Sequence, residues 1–296
     1  MGGLLHRRTP GPCPDGPEEK LIRDAGLGQY SRGALLFRQA CQLICPRRCP
    51  FCGRVLGFEP WCADCEARLK GDRRISLARP RPLDGLKTVS VSWAAVPYWY
   101  EGLVRRSLIC AKYENQPWTA VQLGCLLVRE LFGVEIQIRG GVEVPRPGPR
   151  IPTECDLVVP VPTSGRGRAY NVPSLLALPV AQGLGIPADL QALRRRYVGQ
   201  PQVALHRAER LVNVIGLFQA DADRVAGRRV LLIDDVVTTG ATAAACAQAL
   251  LAAGAESVAF VALATPRSDT TIPVLPGIPF DQEAGPEDEE TEIQDF

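Results

Sequence analysis

The run Arg229-Val230-Leu231-Leu232-Ile233-Asp234-Asp235-Val236-Val237-Thr238-Thr239-Gly240-Ala241-Thr242 leaves this chain little freedom in how it folds. Its first half is apolar and β-branched without alternation, the pattern of a strand buried on both faces of a parallel sheet. Two adjacent carboxylates follow, then a short run of small and hydroxyl-bearing residues. Ala243 to Ala253 reads as a helix rich in Ala and Leu, stopped at Gly254. Strand, loop and helix in that order predict an α/β fold, in which ligands bind beyond the carboxyl ends of the strands.

The residue types fit a divided ligand. Thr238, Thr239, Gly240, Ala241 and Thr242 at a helix N-terminus offer backbone N–H groups, hydroxyls and a positive dipole end, which together hold a phosphate. Gly240 allows the close backbone approach that a side chain would block. Asp234 and Asp235 suit hydroxyls or a cation, not phosphate. The stretch therefore predicts an acid pair for a sugar and a small loop for its 5′-phosphate. The plain alternative is a buried strand, a solvated acid pair and an ordinary capped helix. Neither Gly-x-x-x-x-Gly-Lys-Ser/Thr nor a Gly-x-Gly-x-x-Gly after a strand occurs, which excludes the commoner nucleotide loops.

These residues resemble the phosphoribosyl-pyrophosphate (PRPP) signature of type I phosphoribosyltransferases. The resemblance implies a Rossmann-like parallel sheet flanked by helices. It places Asp234 and Asp235 on the ribose 2′- and 3′-hydroxyls. The 5′-phosphate falls within Val236, Val237 and Thr238 to Thr242. Magnesium is implied as the cation held between pyrophosphate and ribose hydroxyls.

A second module precedes that domain. Cys49-Pro50-Phe51-Cys52 and Cys62-Ala63-Asp64-Cys65 are two Cys-x-x-Cys pairs separated by nine residues. Such pairs can set four thiolates around a structural zinc, giving order to a segment too short for its own core. Disulfides are the alternative, disfavoured by the cytoplasmic setting expected of the chain. Cys45, four residues before Cys49, is an alternative ligand. Phe51 and Trp61 beside Arg47, Arg48 and Arg54 can stack and pair with single-stranded nucleic acid, or they can pack the knuckle. Cys110, Cys125 and Cys246 fall in expected helices and read as buried small hydrophobes.

Between the two modules, residues 89–99 suggest a strand, and Glu101 to Lys112 and Thr119 to Phe132 suggest helices. Pro145 to Pro152 is too broken for regular structure. Asp156 to Pro162 is another strand, its loop carrying Thr163 and Ser164. Pro173 is a helix start, and Pro179 is expected to kink or divide that helix. Ser257 to Thr265 forms a last buried strand.

A four-Cys knuckle followed by a type I domain resembles the ComF family, linked to DNA uptake in competent bacteria. Supporting stretches are Tyr100 to Tyr113, Gln200 to Phe218 and Arg166-Gly167-Arg168-Ala169-Tyr170-Asn171-Val172. In the last, Ala169 stands for the usual Gly and Val172 for the usual Gln. The resemblance implies that Pro162, Thr163, Ser164 and Arg168 meet the pyrophosphate, and that the region after Arg194-Arg195-Arg196 forms a hood over the acceptor. Alternatively, Arg166, Arg168 and the Arg194 to Arg196 turn are simply solvated.

The expected organisation is a flexible N-terminus (1–33), a four-Cys zinc module (34–75) with a short helix at Ala34 to Ile44, a phosphoribosyltransferase domain (85–267) and a disordered acidic tail (268–296). Residues 281–296 hold eight of the chain's 32 acids and no Lys or Arg, leaving 34 basic side chains against 24 acidic elsewhere. That excess suits phosphates or nucleic acid. No apolar run reaches the roughly 20 residues of a membrane span. Two functions are open at this stage. One is a cytoplasmic transferase that moves ribosyl 5-phosphate from PRPP to a nitrogen acceptor. The other is a non-catalytic, PRPP-responsive competence factor that binds single-stranded DNA or a DNA-processing protein.

Overall fold

The computed structural model of the chain describes residues 46–73, 91–146, 154–163, 170–196 and 216–267, apart from Phe58, Asn115 and Gly140. The expected N-terminal segment with its short helix, Cys45, Ser164, Arg166 to Ala169, Gln200 to Asn213 and the acidic tail lie outside the described residues.

A parallel sheet organises the rest. Strand β8 (Arg229–Val236) lies between β5 (Leu157–Pro160) and β9 (Ser257–Thr265), all parallel. Beyond β9 lie β1 (Ala94–Ala95) and β2 (Tyr98–Trp99), both parallel to it. The strand expected over 89–99 is thus two short ladders. Pro97, which has no N–H to donate, falls in the gap between them.

Both faces of the sheet are covered, as the unbroken apolar runs require. One face turns Val158, Leu231, Ile233, Ala259 and Val261 toward α2 (Gly102–Tyr113), α3 (Pro117–Phe132) and α4 (Val172–Leu184). The other turns Leu157, Val159, Val230, Leu232 and Phe260 toward α6 (Ala241–Ala252). It also meets an antiparallel pair of strands, β6 (Leu193–Arg195) and β7 (Phe218–Ala220). A short helix α5 (Ala222–Val225) leads into β8. A smaller hairpin, β3 (Ile136–Arg139) with β4 (Val142–Pro145), follows α3.

Pro179 does not divide the helix: α4 runs through it. The reason is a close helix crossing. A Cβ added to Gly124 of α3 would sit 2.6 Å from the Leu176 carbonyl oxygen and 2.6 Å from Pro179 Cγ. The proline ring packs against the bare face of α3, which offsets the backbone hydrogen bond it cannot donate. Helix α3 begins at Pro117, earlier than its apolar periodicity suggests, because proline is preorganised for the first helical position.

The Cys module does not stand apart. Its helix α1 (Ala63–Asp72) contributes Leu69, and its loops contribute Phe51, Leu56 and Trp61, to the same buried cluster as α2, α3 and α4. A buried polar joint fastens it. The Arg47 guanidinium donates to the carbonyls of Gly57 (2.8 Å) and Glu59 (3.1 Å) and to the Glu143 carboxylate of β4. Gln122 of α3 donates to the same carboxylate at 2.8 Å.

Candidate functional site

Side-chain alternation along β8 decides where the acid pair points. Residues 231 and 233 face the three-helix side, so Asp235 does too; residues 230 and 232 face α6, so Asp234 does. The two neighbours therefore sit in different surroundings. Asp235 is buried, and its carboxylate accepts a hydrogen bond from Lys112 Nζ of α2 at 2.7 Å, both side chains being largely covered. Asp234 is half-buried, and its carboxylate accepts the N–H of Asp235 at 2.8 Å. Burial, and then the Asp235 charge, push the Asp234 carboxyl well above the usual carboxylate range, with Lys112 pulling the other way.

Beyond the pair, Val237 closes the strand edge by donating to Ala264 O at 3.0 Å. Thr238 and Thr239 are exposed. Gly240 caps α6 with φ 81°, in the left-handed region, where a side chain would be strained. No side chain caps this helix at Gly240; the nearest is Thr239, whose Oγ1 accepts the Ala241 N–H at a long 3.4 Å. Ala241 is half-buried and Thr242 exposed. The result is an accessible helix N-terminus bordered by three threonines, immediately after two carboxylates. That arrangement can bind an anionic group and a hydroxylated one side by side.

The loop after β5 opens at the same edge. Val161 N–H donates to Ile233 O at 2.8 Å, which sets Pro162 and Thr163, both half-buried, alongside the acid pair. Asn171 Nδ2 donates to Val161 O at 3.1 Å and to Ser174 Oγ at 2.9 Å, so the two ends of this loop are tied together. Tyr170 Oη donates to Ala111 O of α2 at 2.6 Å. Val172 is fully buried in the first turn of α4. Arg194, Arg195 and Arg196 are exposed, with the Arg195 guanidinium 5.8 Å from the Phe218 ring centroid.

Sequence reasoning missed Lys112 as a site residue. It was one cation on a helix 123 positions before its partner, with only its place in the stretch ending at Tyr113 to mark it.

In the Cys module, the Sγ atoms of Cys49, Cys52, Cys62 and Cys65 all lie within 4.8 Å of one another. Cys52 and Cys62 are 3.6 Å apart, close to the edge of about 3.8 Å that tetrahedral Zn–S bonds of about 2.3 Å imply. Gly53, at φ 73°, donates to Cys49 O at 2.9 Å and closes the first knuckle. Cys62 caps α1 and Cys65 lies in its first turn. The Arg54 amide brings the Cys52 thiol down to about 7, whereas burial pushes the Cys49 and Cys65 thiols up. The donor set fits a closed structural zinc site.

Of the two alternatives for the module's aromatic rings, packing is the one observed. Phe51 and Trp61 are both buried, and the Arg129 guanidinium stacks 4.4 Å from the Trp61 ring centroid. Neither ring is open to a nucleobase, and Arg47 is committed to the buried joint. Cys125 and Cys246 are buried as expected, whereas Cys110 is half-buried and lines a cleft. That cleft, about 710 Å³, lies between the Cys module, α2, α3 and β4, with Trp118 and Arg106 among its walls and none of the signature residues.

Comparison with known proteins decides the family. The phosphoribosyl transferase domain model matches residues 150–274. The DNA utilization protein YhgH of Salmonella typhi is 31% identical over 214 residues, covering 71% of this chain and 80% of that protein. The chain belongs to the ComF family. Its domain is a type I phosphoribosyltransferase fold with a four-Cys module near the N-terminus. This ComF-family chain is also 33% identical over 107 residues to the amidophosphoribosyltransferase of Rhizobium etli, but spans only 20% of that relative's length. A solved structure of the glutamine PRPP amidotransferase from B. subtilis is 27% identical, covers 48% of the chain and 25% of its own, and superposes with a TM-score of 0.31. Among the described residues, no helix is long and apolar enough to cross a membrane.

Proposed function

We propose that this ComF-family chain binds PRPP and transfers its ribosyl 5-phosphate group to a nitrogen acceptor. The observation that carries the reading is the junction of β8 and α6. Two carboxylates at the sheet edge are followed, after four intervening residues, by a left-handed glycine that caps a helix N-terminus. In this reading Thr238 to Thr242 hold the 5′-phosphate, while Asp234 and Asp235 accept hydrogen bonds from the ribose hydroxyls. Pro162 and Thr163, with Ser164 and Arg168 outside the described residues, face the pyrophosphate. The acid pair supplies oxygen ligands of the kind magnesium prefers. When bound, that cation would neutralise the departing pyrophosphate. The chain's own contribution is positioning and charge stabilisation more than a covalent nucleophile.

Calorimetry with PRPP and magnesium tests the site. Asp235→Ala is expected to weaken binding by about a hundredfold or more; unchanged affinity would remove the acid pair from the site. Release of pyrophosphate on adding a nitrogen nucleophile tests the transfer.

The similarity to YhgH, described as a DNA utilization protein, favours a second reading: PRPP binding without transfer, in service of DNA handling or competence. It predicts PRPP binding with no pyrophosphate release for any acceptor. It also predicts single-stranded DNA affinity that falls steeply between about 50 and 200 mM salt.

A further inference from the structure

Helix α2 touches three separate parts of the molecule. At its middle, Ser107 Oγ donates to Pro50 O, the carbonyl between Cys49 and Cys52, at 2.7 Å. At Ala111 its carbonyl accepts from Tyr170, which ends the loop after β5. One residue later Lys112 reaches Asp235. Leu103, Val104, Leu108 and Ala111 are buried along the same helix, so α2 is fixed along its length and Lys112 is held with it.

The two carboxylates of the acid pair have no second cation within hydrogen-bond reach among the described residues. An ionised carboxylate this covered keeps one rotamer only while a partner satisfies it. We infer that Lys112 is the positioning residue of the acid pair, holding the Asp235 side chain in place at the end of β8 before any ligand arrives. The ligand class is a vicinal diol of a phosphorylated sugar, so the inference rests on the PRPP reading above and adds a residue to it. Its physical consequence is preorganisation. With Lys112 in place, Asp235 need not be reoriented when the sugar hydroxyl binds, and the pair meets a magnesium-bound ligand already half neutralised.

The test compares the full-length wild type with Lys112→Met, which keeps the stem and removes the charge, and with Lys112→Arg, which keeps the charge. Titration with PRPP at fixed magnesium is expected to show affinity about 10- to 100-fold weaker in Lys112→Met and largely restored in Lys112→Arg. Thermal unfolding is recorded in parallel, and affinities are expressed per folded molecule. Affinity of folded Lys112→Met equal to wild type would overturn the inference and leave the lysine a structural ion pair. A PRPP complex in which Lys112 leaves Asp235 to bind the pyrophosphate would overturn it as well.

Failure of the wild type to bind PRPP would instead sink the proposed function. The inference is then judged on the ligand-free crystal structure of Lys112→Met. Asp235 in a new rotamer supports the positioning role, and Asp235 unmoved refutes it.

Discussion

The two faces of the central sheet hold neighbouring carboxylates of the same strand under opposite conditions. On the three-helix face, Asp235 is buried and answered by Lys112 at 2.7 Å. On the α6 face, Asp234 has its neighbour's backbone N–H, while the buried Cys246 thiol near it is pushed well up, chiefly by burial and then by Asp234's own charge. A site that must bind a ligand through two acids gains from that asymmetry. In the proposed reading, one carboxylate is held in advance by Lys112, and the other has only its neighbour's amide N–H before the ligand binds.

The comparison is broken most severely by damaging the packing of the three-helix face. Gly124→Val places side-chain atoms against the Leu176 carbonyl and the Pro179 ring, at a cost on the order of 4 kcal/mol. Chemical denaturation should show an unfolding midpoint well below that of the wild type. Stability close to wild type would mean that α3 and α4 can separate freely and that the face is not rigid.

Next in size is Asp235→Ala, which strands Lys112 beneath the sheet edge. A loss of about 3 kcal/mol is expected from denaturant unfolding, besides the lost PRPP affinity. Cys65→Ser, or a chelator, acts on the same face through the module that supports α2. If free zinc normally stands about a hundredfold above its Kd, removal costs about 2.7 kcal/mol. Hydrogen exchange should then rise in α1 and α2 before it rises in β9. Simultaneous loss everywhere would show the module and sheet to be one cooperative unit.

The smallest effect sharpens the contrast from the other side. Asp234's carboxyl is raised in the folded state, so the fold holds its proton more tightly than the unfolded chain does. Its contribution is favourable at acidic pH, and it fades as pH climbs from the unfolded carboxylate range near 4 through the folded value. Asp234→Asn removes that dependence and should stabilise the ligand-free protein at pH 7 by about 1 kcal/mol, or about 2–4 °C in Tm, while weakening PRPP binding. Calorimetric scans from pH 4 to 8 check both. A destabilised Asp234→Asn would mean that Asp234 has a partner that matters more than its burial.

Much of this architecture was legible before any coordinates. The apolar, β-branched run from Val230 to Ile233 can satisfy its side chains only if both faces are covered, which fixed a parallel sheet with helices on each side. The cysteine spacing likewise predicted a four-sulfur cluster, because two short loops bring four thiols together by local geometry alone. Helix starts were less visible: Pro117 opens α3 ahead of its periodic stretch, and Pro179 passes through α4, because a glycine on the facing helix leaves room for it.

Local chemistry in the sequence thus determined the strand, the acid pair, the threonine-bordered helix N-terminus and the four-Cys module, since each is set by residues within a few positions of one another. Only the tertiary structure decided that Phe51 and Trp61 turn inward, that Arg47 fastens the module to β4, and that Lys112 answers Asp235 and not Asp234. Those outcomes depend on which side chains long-range packing brings face to face. Contacts across 96 and 123 positions leave no periodic trace in the chain.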